Sequence, residues 1–187
     1  GGKARPGEVS LAHNGVLFLD ELPEFRRETL EALRQPLEDG FVNVTRVNGQ
    51  NRYQSRAMLV AAMNPCPCGN YGSRTRPCRC SPAEIRRYLG RISGPLLDRI
   101  DLFVEVSALE FEELSRREPS EPSAAVKERV DQARAVQKRR EGGRCNAQIE
   151  TESLERCCTL DEDCQAILKG AFTRMGLTAR SYDRILR

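Results

Sequence analysis

One stretch decides the fold of this chain: Gly15-Val16-Leu17-Phe18-Leu19-Asp20-Glu21. Apolar residues that follow one another without alternation are typical of a strand buried on both faces of a parallel sheet. Because α/β sheets bind ligands at the carboxyl ends of their strands, Asp20 lies where a carboxylate can hold Mg²⁺. Glu21 lies where it can polarise an attacking water molecule as a general base. A structural strand that merely ends in acids is the alternative.

A second apolar run, Met58–Met63, ends at Asn64-Pro65 in the same way. At the carboxyl end of its strand, Asn64 could orient water beside a γ-phosphate; otherwise it simply starts the loop. The run Leu102–Val106 predicts a third strand. Strands interspersed with helical patterns give the first part of the chain an α/β fold.

The segment between the first two runs predicts a helix and a hairpin. Apolar residues recur at helical spacing from Phe25 to Leu37, with Pro36 expected to bend or end the helix and Gly40 to close it. The residues that follow, Phe41–Gln54, predict a β-hairpin because they contain Asn48-Gly49, a strong turn signal.

Composition separates this chain from several classes of protein. It has 187 residues, of which 39% are hydrophobic and 30% charged, so it can build a core and is not a disordered tail. The sequence has no apolar run long enough to span a membrane and does not begin with a signal peptide. We therefore expect a cytoplasmic protein without a membrane partner, whose cysteines are reduced or metal-bound.

The net charge of +3 hides a basic block. Between Phe41 and Arg91 there are nine arginines and one acid, Glu84, which gives this stretch a charge of +8. Such a block can be a nucleic-acid surface. It can also be a solvated face that pairs with acids elsewhere in the fold.

Composition changes after Ser107, where Pro, Ser and Glu residues indicate a linker and helical patterns follow. We predict an α/β core over residues 1–107, a linker over 108–124 and an all-helical part over 125–187. The chain starts just before a strand that looks central and stops inside a helical pattern. We therefore expect it to be a fragment, cut at both ends.

Eight cysteines fall into two sets of four. Two close pairs, separated by nine residues, suit a tetrahedral structural Zn²⁺ site: Cys66, Cys68, Cys78 and Cys80. Reduced thiols without a metal and a redox pair are the alternatives. The other set has no ligand spacing and is expected to consist of buried thiols of the helical part: Cys145, Cys157, Cys158 and Cys164. His13, the only histidine, is expected to pack or cap near the first strand rather than bind metal.

The run Ser93-Gly94-Pro95-Leu96-Leu97-Asp98-Arg99-Ile100-Asp101 places an arginine between two acids. Arg99 could reach the γ-phosphate of a neighbouring subunit or form a local salt bridge with Asp98 or Asp101. Together with Gly15–Glu21 and the Asn64-Pro65-Cys66-Pro67-Cys68-Gly69 segment, this run resembles the AAA+ ATPases of the magnesium-chelatase type. More narrowly, it resembles the magnesium-chelatase-like ComM (YifB) family over nearly the whole chain.

The resemblance implies a partial AAA+ P-loop NTPase core with a hairpin before sensor 1, followed by a helical lid. It assigns Asp20 and Glu21 to Walker B, Asn64 to sensor 1, Arg99 to the arginine finger and Arg180 to sensor 2. It also implies ATP with Mg²⁺ as cofactor and a homo-oligomeric ring, a hexamer. The P-loop motif G-x-x-x-x-G-K-[ST] is absent from this sequence. We therefore expect the fragment alone to be inactive and its longer parent to be the ATPase.

In related AAA+ proteins a hairpin at this place projects into the central pore, so Arg46 and Arg52 are candidates for contact with a DNA backbone. The first hypothesis is a motor for DNA remodelling, with helicase or branch-migration work in natural transformation. The alternatives are an ATP-driven metal-insertion motor, as in magnesium chelatase, and a non-catalytic zinc-bearing nucleic-acid-binding module.

Overall fold

The computed structural model describes residues 4–46, 49–73, 75–106, 115, 120–140, 143 and 145–187. It divides into two compact units, Gly1–Ala108 and Leu109–Arg187, each of which is described here by itself. The first is a mixed α/β unit with a small parallel sheet, and the second is helical. Most of the predicted linker 108–124 lies outside the described residues.

The first unit begins with a short helix and a strand, and a 3₁₀ turn at Leu22–Glu24 follows the strand. In chain order its helices and strands are α1 (Glu8–Leu11), β1 (Val16–Leu19), α2 (Arg27–Ala32), α3 (Arg34–Asp39), β2 (Phe41–Arg46), β3 (Gly49–Gln54), β4 (Met58–Ala61), α4 (Pro82–Leu89) and α5 (Gly94–Leu97).

The parallel sheet consists of β1 and β4, whose register runs from Val16 opposite Met58 to Leu19 opposite Ala61. Backbone hydrogen bonds continue past the strand ends, since Ala62 donates to Leu19 over 2.9 Å. The two apolar runs are therefore strands of a parallel sheet, as predicted, and the structure adds that they are neighbours whose carboxyl ends lie side by side.

Only one face of this sheet is covered within the described part of the chain. Leu17 and Leu19 pack against a buried core that consists of Leu22, Leu30, Leu33, Ile92 and Leu96. On the opposite face Phe18 is 57% exposed, and Val16, Met58 and Val60 are exposed as well. The prediction of burial on both faces is wrong here, because the described residues supply a layer on one side only.

The predicted third strand is not formed. Residues 102–106 join neither sheet, and Val106 is 91% exposed. A strand exists only through hydrogen bonds to a neighbour, and no described strand pairs with this segment. Its apolar side chains are therefore exposed to solvent.

The predicted single helix after Phe25 is two helices, α2 and α3, which meet at Leu33. Pro36 consequently lies in the first turn of α3, where its missing N–H needs no partner. Gly40 closes α3 in the left-handed conformation, with φ 72°. A Cβ at this position would come within 2.9 Å of Arg56, so the site requires glycine.

The predicted hairpin is formed by β2 and β3, paired from Phe41 opposite Gln54 to Arg46 opposite Gly49. The Asn48-Gly49 signal predicted Gly49 within the turn, whereas the structure pairs Gly49 with Arg46 as the first residue of β3. Asn48 lies outside the described residues. His13 accepts the Arg56 backbone N–H at Nδ1 over 3.1 Å. His13 thus makes a structural contact beside β1.

The second unit contains a 3₁₀ turn at Asn146–Gln148 and α-helices over the regions predicted to be helical, namely α6 (Ser123–Arg140), α7 (Thr151–Cys157), α8 (Glu162–Met175) and α9 (Ala179–Leu186). Asp161 caps α8 and Thr178 caps α9. No helix in the described part of the chain is both long and apolar enough to span a membrane. Cys164 is exposed at the first turn of α8, so the prediction that it is buried is wrong; the other three cysteines of this unit are half-buried.

Candidate functional site

The candidate site begins where β1 and β4 end together. Asp20 follows β1 directly, and Asn64 lies three residues beyond the last residue of β4. Both side chains are exposed at this edge of the sheet. The parallel register of β1 and β4 therefore places a carboxylate and an amide at the same edge of the sheet. These two groups are suitable partners for a hydrated cation and its phosphate ligand.

Glu21 has an unusual backbone for a residue with a side chain, with φ 52° and ψ 46° in the left-handed region. Three hydrogen bonds hold this conformation: its own N–H donates to Asp20 Oδ1 over 2.9 Å, its carbonyl accepts from Glu24 over 2.8 Å, and the next N–H, of Leu22, donates to Ala62 over 3.0 Å. Such conformations cost of order 1–3 kcal/mol and cluster at functional sites. The left-handed conformation of Glu21 turns the chain sharply just after Asp20.

A residue that the sequence did not single out, Tyr88, lies near the backbone of Asn64. It is 7% exposed, and the backbone of Asn64 is close enough to its hydroxyl to lower the pKa of Tyr88 slightly. Burial, followed by the charge of Glu24, raises the pKa of Tyr88, so the hydroxyl stays neutral. In the sequence, Ser81-Pro82-Ala83-Glu84 is a capping box that marks the start of α4, but it does not indicate which side chain of that helix lies near Asn64.

Arg91, three residues further, was also missed. It donates to the Pro23 carbonyl over 3.1 Å and pairs with Glu24 over 2.8 Å. The end of α4 and the residues after it therefore hold the turn that follows Asp20 and Glu21.

Arg99 is largely buried within the first unit, with its side chain 11% exposed. It pairs with Glu38 of α3 and donates to the Pro95 carbonyl over 2.5 Å. Glu38 is a partner that the local alternatives, Asp98 and Asp101, did not include. In this conformation the guanidinium faces its own unit.

Arg180 is exposed in the first turn of α9, directly after the Thr178 cap, and belongs to the second unit.

The hairpin arginines lie on opposite faces. Arg52 pairs with Asn43, and Arg46 is three residues from Asn43 along β2. Because side chains alternate between faces along a strand, an odd separation puts the two arginines on different sides. The Arg52 guanidinium covers the Phe41 ring, with Cζ 3.5 Å from its centroid. The structure thus does not bring Arg46 and Arg52 together.

The four predicted cysteine ligands come together in one cluster, with all four Sγ atoms within 4.8 Å of one another. The measured separations are 3.4 Å for Cys66–Cys68, 3.7 Å for Cys66–Cys78 and 3.6 Å for Cys68–Cys78. In a tetrahedron with Zn–S bonds of about 2.3 Å, the sulfur atoms lie about 3.8 Å apart. The cluster can therefore hold a metal ion such as zinc.

Backbone amides surround the sulfur atoms. The N–H groups of Arg79 and Asn70 donate to Cys68 and lower its pKa to about 6. Burial raises the pKa of Cys80 to about 12, and neighbouring sulfur atoms add to the effect. Amide donors that stabilise one thiolate are the surroundings expected of a metal-binding thiolate site.

Comparisons with known proteins identify the family of this chain. The family profile described as magnesium chelatase, subunit ChlI, matches residues 1–114, and the profile for its C-terminal region matches residues 120–187. The chain is 47% identical over 98% of its length to competence protein ComM of Haemophilus influenzae, and 45% identical over 97% to the uncharacterized protein YifB of Escherichia coli. It spans 36% of the length of each of these relatives.

A more distant match is the DNA replication licensing factor mcm-6 of Caenorhabditis briggsae, 29% identical over 52% of the chain and 11% of that protein. The two profiles together match nearly every residue, with a gap only between residues 114 and 120. The chain belongs to the magnesium-chelatase-like ComM family.

Proposed function

We propose that the protein to which this chain belongs is an AAA+ ATPase and that the chain supplies one side of its nucleotide site. The observation that carries the proposal is the parallel register of β1 and β4, which puts Asp20 and Asn64 at one edge. Asp20 would hold the Mg²⁺ that accompanies ATP, Asn64 would orient the attacking water and Glu21 would accept its proton.

In this proposal Arg99 acts on the ATP of a neighbouring protomer in a homo-oligomeric ring, a hexamer, and Arg180 reaches the γ-phosphate from the helical lid. A role in trans requires Arg99 to leave Glu38, so ring assembly would have to compete with that ion pair. Because the sequence contains no G-x-x-x-x-G-K-[ST] motif, we expect hydrolysis from the longer protein and not from the 187-residue chain alone.

The ATPase proposal is tested by Glu21→Gln in the full-length protein. We expect hydrolysis to be abolished while ATP binding is kept, because the amide cannot accept the proton but fills the same space. Glu24→Gln is the matched control, an exposed acid of the same turn that pairs with Arg91 instead. Unchanged turnover in Glu21→Gln would refute the Walker B assignment.

We further propose that the motor remodels DNA in the cytoplasm, with helicase or branch-migration work in natural transformation. Two observations support DNA: the +8 stretch from Phe41 to Arg91, and relatives named for competence and for DNA replication licensing. On the hairpin, Arg46 and Arg52 would each contact backbone phosphate from a different face.

Salt-dependent DNA binding by the full-length protein is the test. Arg46→Ala should reduce the slope of log K against log salt by about one unit. Arg139→Ala, an exposed arginine of α6, is the control that should leave binding unchanged. Absence of salt-dependent DNA binding would favour the metal-insertion motor, in which a porphyrin-bearing partner replaces DNA.

We propose that Cys66, Cys68, Cys78 and Cys80 hold a structural Zn²⁺. The separations of their sulfur atoms support this. Metal analysis should find one zinc per chain, lost in Cys80→Ser and kept in Cys164→Ser. Zinc without ATP hydrolysis by the full-length protein would leave the non-catalytic nucleic-acid-binding module as the function.

A further inference from the structure

The two faces of the β2–β3 hairpin differ in their surroundings. Opposed residues of an antiparallel pair share a face, so the register defines an Arg52 face that consists of Phe41, Asn43, Thr45, Gln50, Arg52 and Gln54. All of these except the first are exposed. On the other face Val42, Val44 and Tyr53 are half-buried, and the Tyr53 hydroxyl donates to the Ala4 carbonyl over 2.9 Å. The hairpin therefore packs with that face and turns its Arg52 face to solvent.

The Arg52 face is uncharged apart from its arginine. No Asp or Glu occurs between Phe41 and Gln54, so the face carries only positive charge. Exposed edge strands ordinarily carry charged side chains, lysine above all, and asparagine is depleted in strands. Strand formation and edge protection therefore do not account for an exposed row of amides and a hydroxyl. Such side chains donate and accept hydrogen bonds, as contacts with phosphates and base edges require.

Arg52 is oriented by a contact within the hairpin. Its Cζ atom lies 3.5 Å from the centroid of the Phe41 ring. The two residues are diagonal neighbours across the strand pair, because Arg52 is opposite Asn43, two positions from Phe41. A guanidinium that lies over a ring keeps its N–H groups around its edge, where a phosphate can accept them. Because the ring already restricts the side chain, little further freedom is lost when it binds.

The dimensions and chemistry of this face fit duplex DNA. A two-stranded β-ribbon can enter the major groove, which is about 12 Å wide, and the opposed residues of this hairpin extend over about 20 Å. Proteins that bind single strands use aromatic rings as stacking platforms for bases. The one aromatic ring of the Arg52 face belongs to Phe41 and is covered by Arg52.

We infer that the Arg52 face is a contact surface for duplex DNA, on which Arg52 binds a backbone phosphate and the uncharged side chains form hydrogen bonds with the same duplex. The inference rests on the proposed DNA-remodelling function and adds to it a part of the affinity that salt does not screen. Release of counterions sets the slope of log K against log salt, whereas neutral hydrogen bonds shift K equally at every salt concentration. Arg46, on the other face, contributes its charge alone.

The first test is Asn43→Ala in the full-length protein. Binding to a fluorescent DNA duplex of mixed sequence is followed by anisotropy over a series of salt concentrations. We expect the association constant to fall about twofold to tenfold at every salt concentration, the effect of one neutral hydrogen bond, with the slope unchanged.

Asn51→Ala is the matched control, because Asn51 is exposed in the same hairpin but lies opposite Val44 on the other face. We expect this variant to bind the duplex as the wild type does. An unchanged association constant in Asn43→Ala, or an equal fall in Asn51→Ala, would overturn the inference.

The second test is Arg52→Lys, which keeps the charge but not the planar guanidinium. We expect the slope to stay the same and the association constant to fall about twofold to fivefold, the value of one exposed cation–π contact. Arg46→Lys is the control and should change neither quantity. No fall in Arg52→Lys, or an equal fall in Arg46→Lys, would mean that only the charge of the hairpin matters and would overturn the oriented role of Arg52.

A single-stranded oligonucleotide of the same sequence provides the second arm of both tests. If Asn43→Ala weakens binding to the single strand as much as binding to the duplex, the duplex is not the ligand that this face recognises. If the wild type binds the duplex with the expected salt dependence but Asn43→Ala and Arg52→Lys bind equally well, the inference fails and the DNA proposal stands. If the wild type binds no DNA, both fail.

Discussion

Binding of zinc to the metal-free cysteine cluster should release protons in a number that follows from the structure. All four sulfur atoms must become thiolates to hold the ion. Before binding, backbone amides already keep the pKa of Cys68 at about 6, whereas the pKa of Cys80 is about 12 and that of Cys78 lies above its usual value. The pKa of Cys66 lies below its usual value despite burial.

At about pH 7, Cys68 retains only about a tenth of a proton, while Cys78 and Cys80 hold one each. Cys66 contributes at most one more. Binding should therefore release about two to three protons, and the association constant should rise by about two to three powers of ten for each pH unit near neutrality. The association constant must rise with pH, since raising the pH removes the protons that compete with zinc for the sulfur atoms. Below about pH 6, Cys68 also becomes protonated and the dependence steepens.

The assay is isothermal titration calorimetry at one pH in buffers that differ in ionisation enthalpy. The slope of observed enthalpy against buffer enthalpy gives the number of protons released. Cys164→Ser, an exposed cysteine outside the cluster, should leave that number unchanged. A release close to four would mean that Cys68 is not an amide-stabilised thiolate, and a release close to zero would mean that all four thiolates exist before binding. Either result would refute the reasoning.

Two further predictions concern stability. Leu96→Ala should lower the free energy of unfolding by about 2–5 kcal/mol, because this residue is 1% exposed in the core of the first unit. Urea denaturation measures this change, and Leu89→Ala, at an exposed position, should lower the free energy of unfolding much less. Glu84→Ala should lower the urea midpoint at neutral pH. Because hydrogen bonds from Ser81 lower the pKa of Glu84 in the folded protein, the ionised carboxylate stabilises the fold above the pKa that Glu84 has in the unfolded chain. This stabilisation is lost as the pH falls through the pKa of Glu84 in the folded protein. A difference between the two proteins that persists at about pH 2 would contradict the second prediction.

Much of the site was predictable because it depends on local patterns. A polar residue after each apolar run was enough to place Asp20 and Asn64 at strand ends, and the spacing of four cysteines was enough to expect one cluster. These inferences need only the chain direction and the chemistry of the side chains. The parallel sheet, the hairpin and the four-cysteine cluster in the structure confirm them.

The contacts that were missed depend on how separate elements pack. Tyr88 lies near the Asn64 backbone because α4 buries that tyrosine, and Arg99 meets Glu38 because the residues that follow α5 approach α3. Nothing in the sequence near either residue encodes its distant partner. Phe18 illustrates the same limit, since an apolar run reveals what a strand can bury but not which layer is there to cover it.

The placement of the two hairpin arginines on opposite faces could have been worked out from the sequence. In an antiparallel pair the sum of opposed residue numbers is constant, so Arg46 opposite Gly49 requires Arg52 opposite Asn43. A shift of the turn by one residue would place Arg52 opposite a neighbour two positions away, Thr45 or Phe41 rather than Asn43, and each of these is an odd number of residues from Arg46. Their placement on opposite faces therefore follows for any two-residue turn. A nucleic acid that lies along one face of the hairpin meets only one of these arginines, and contact with both requires a strand that wraps around the hairpin or a second strand on the other side.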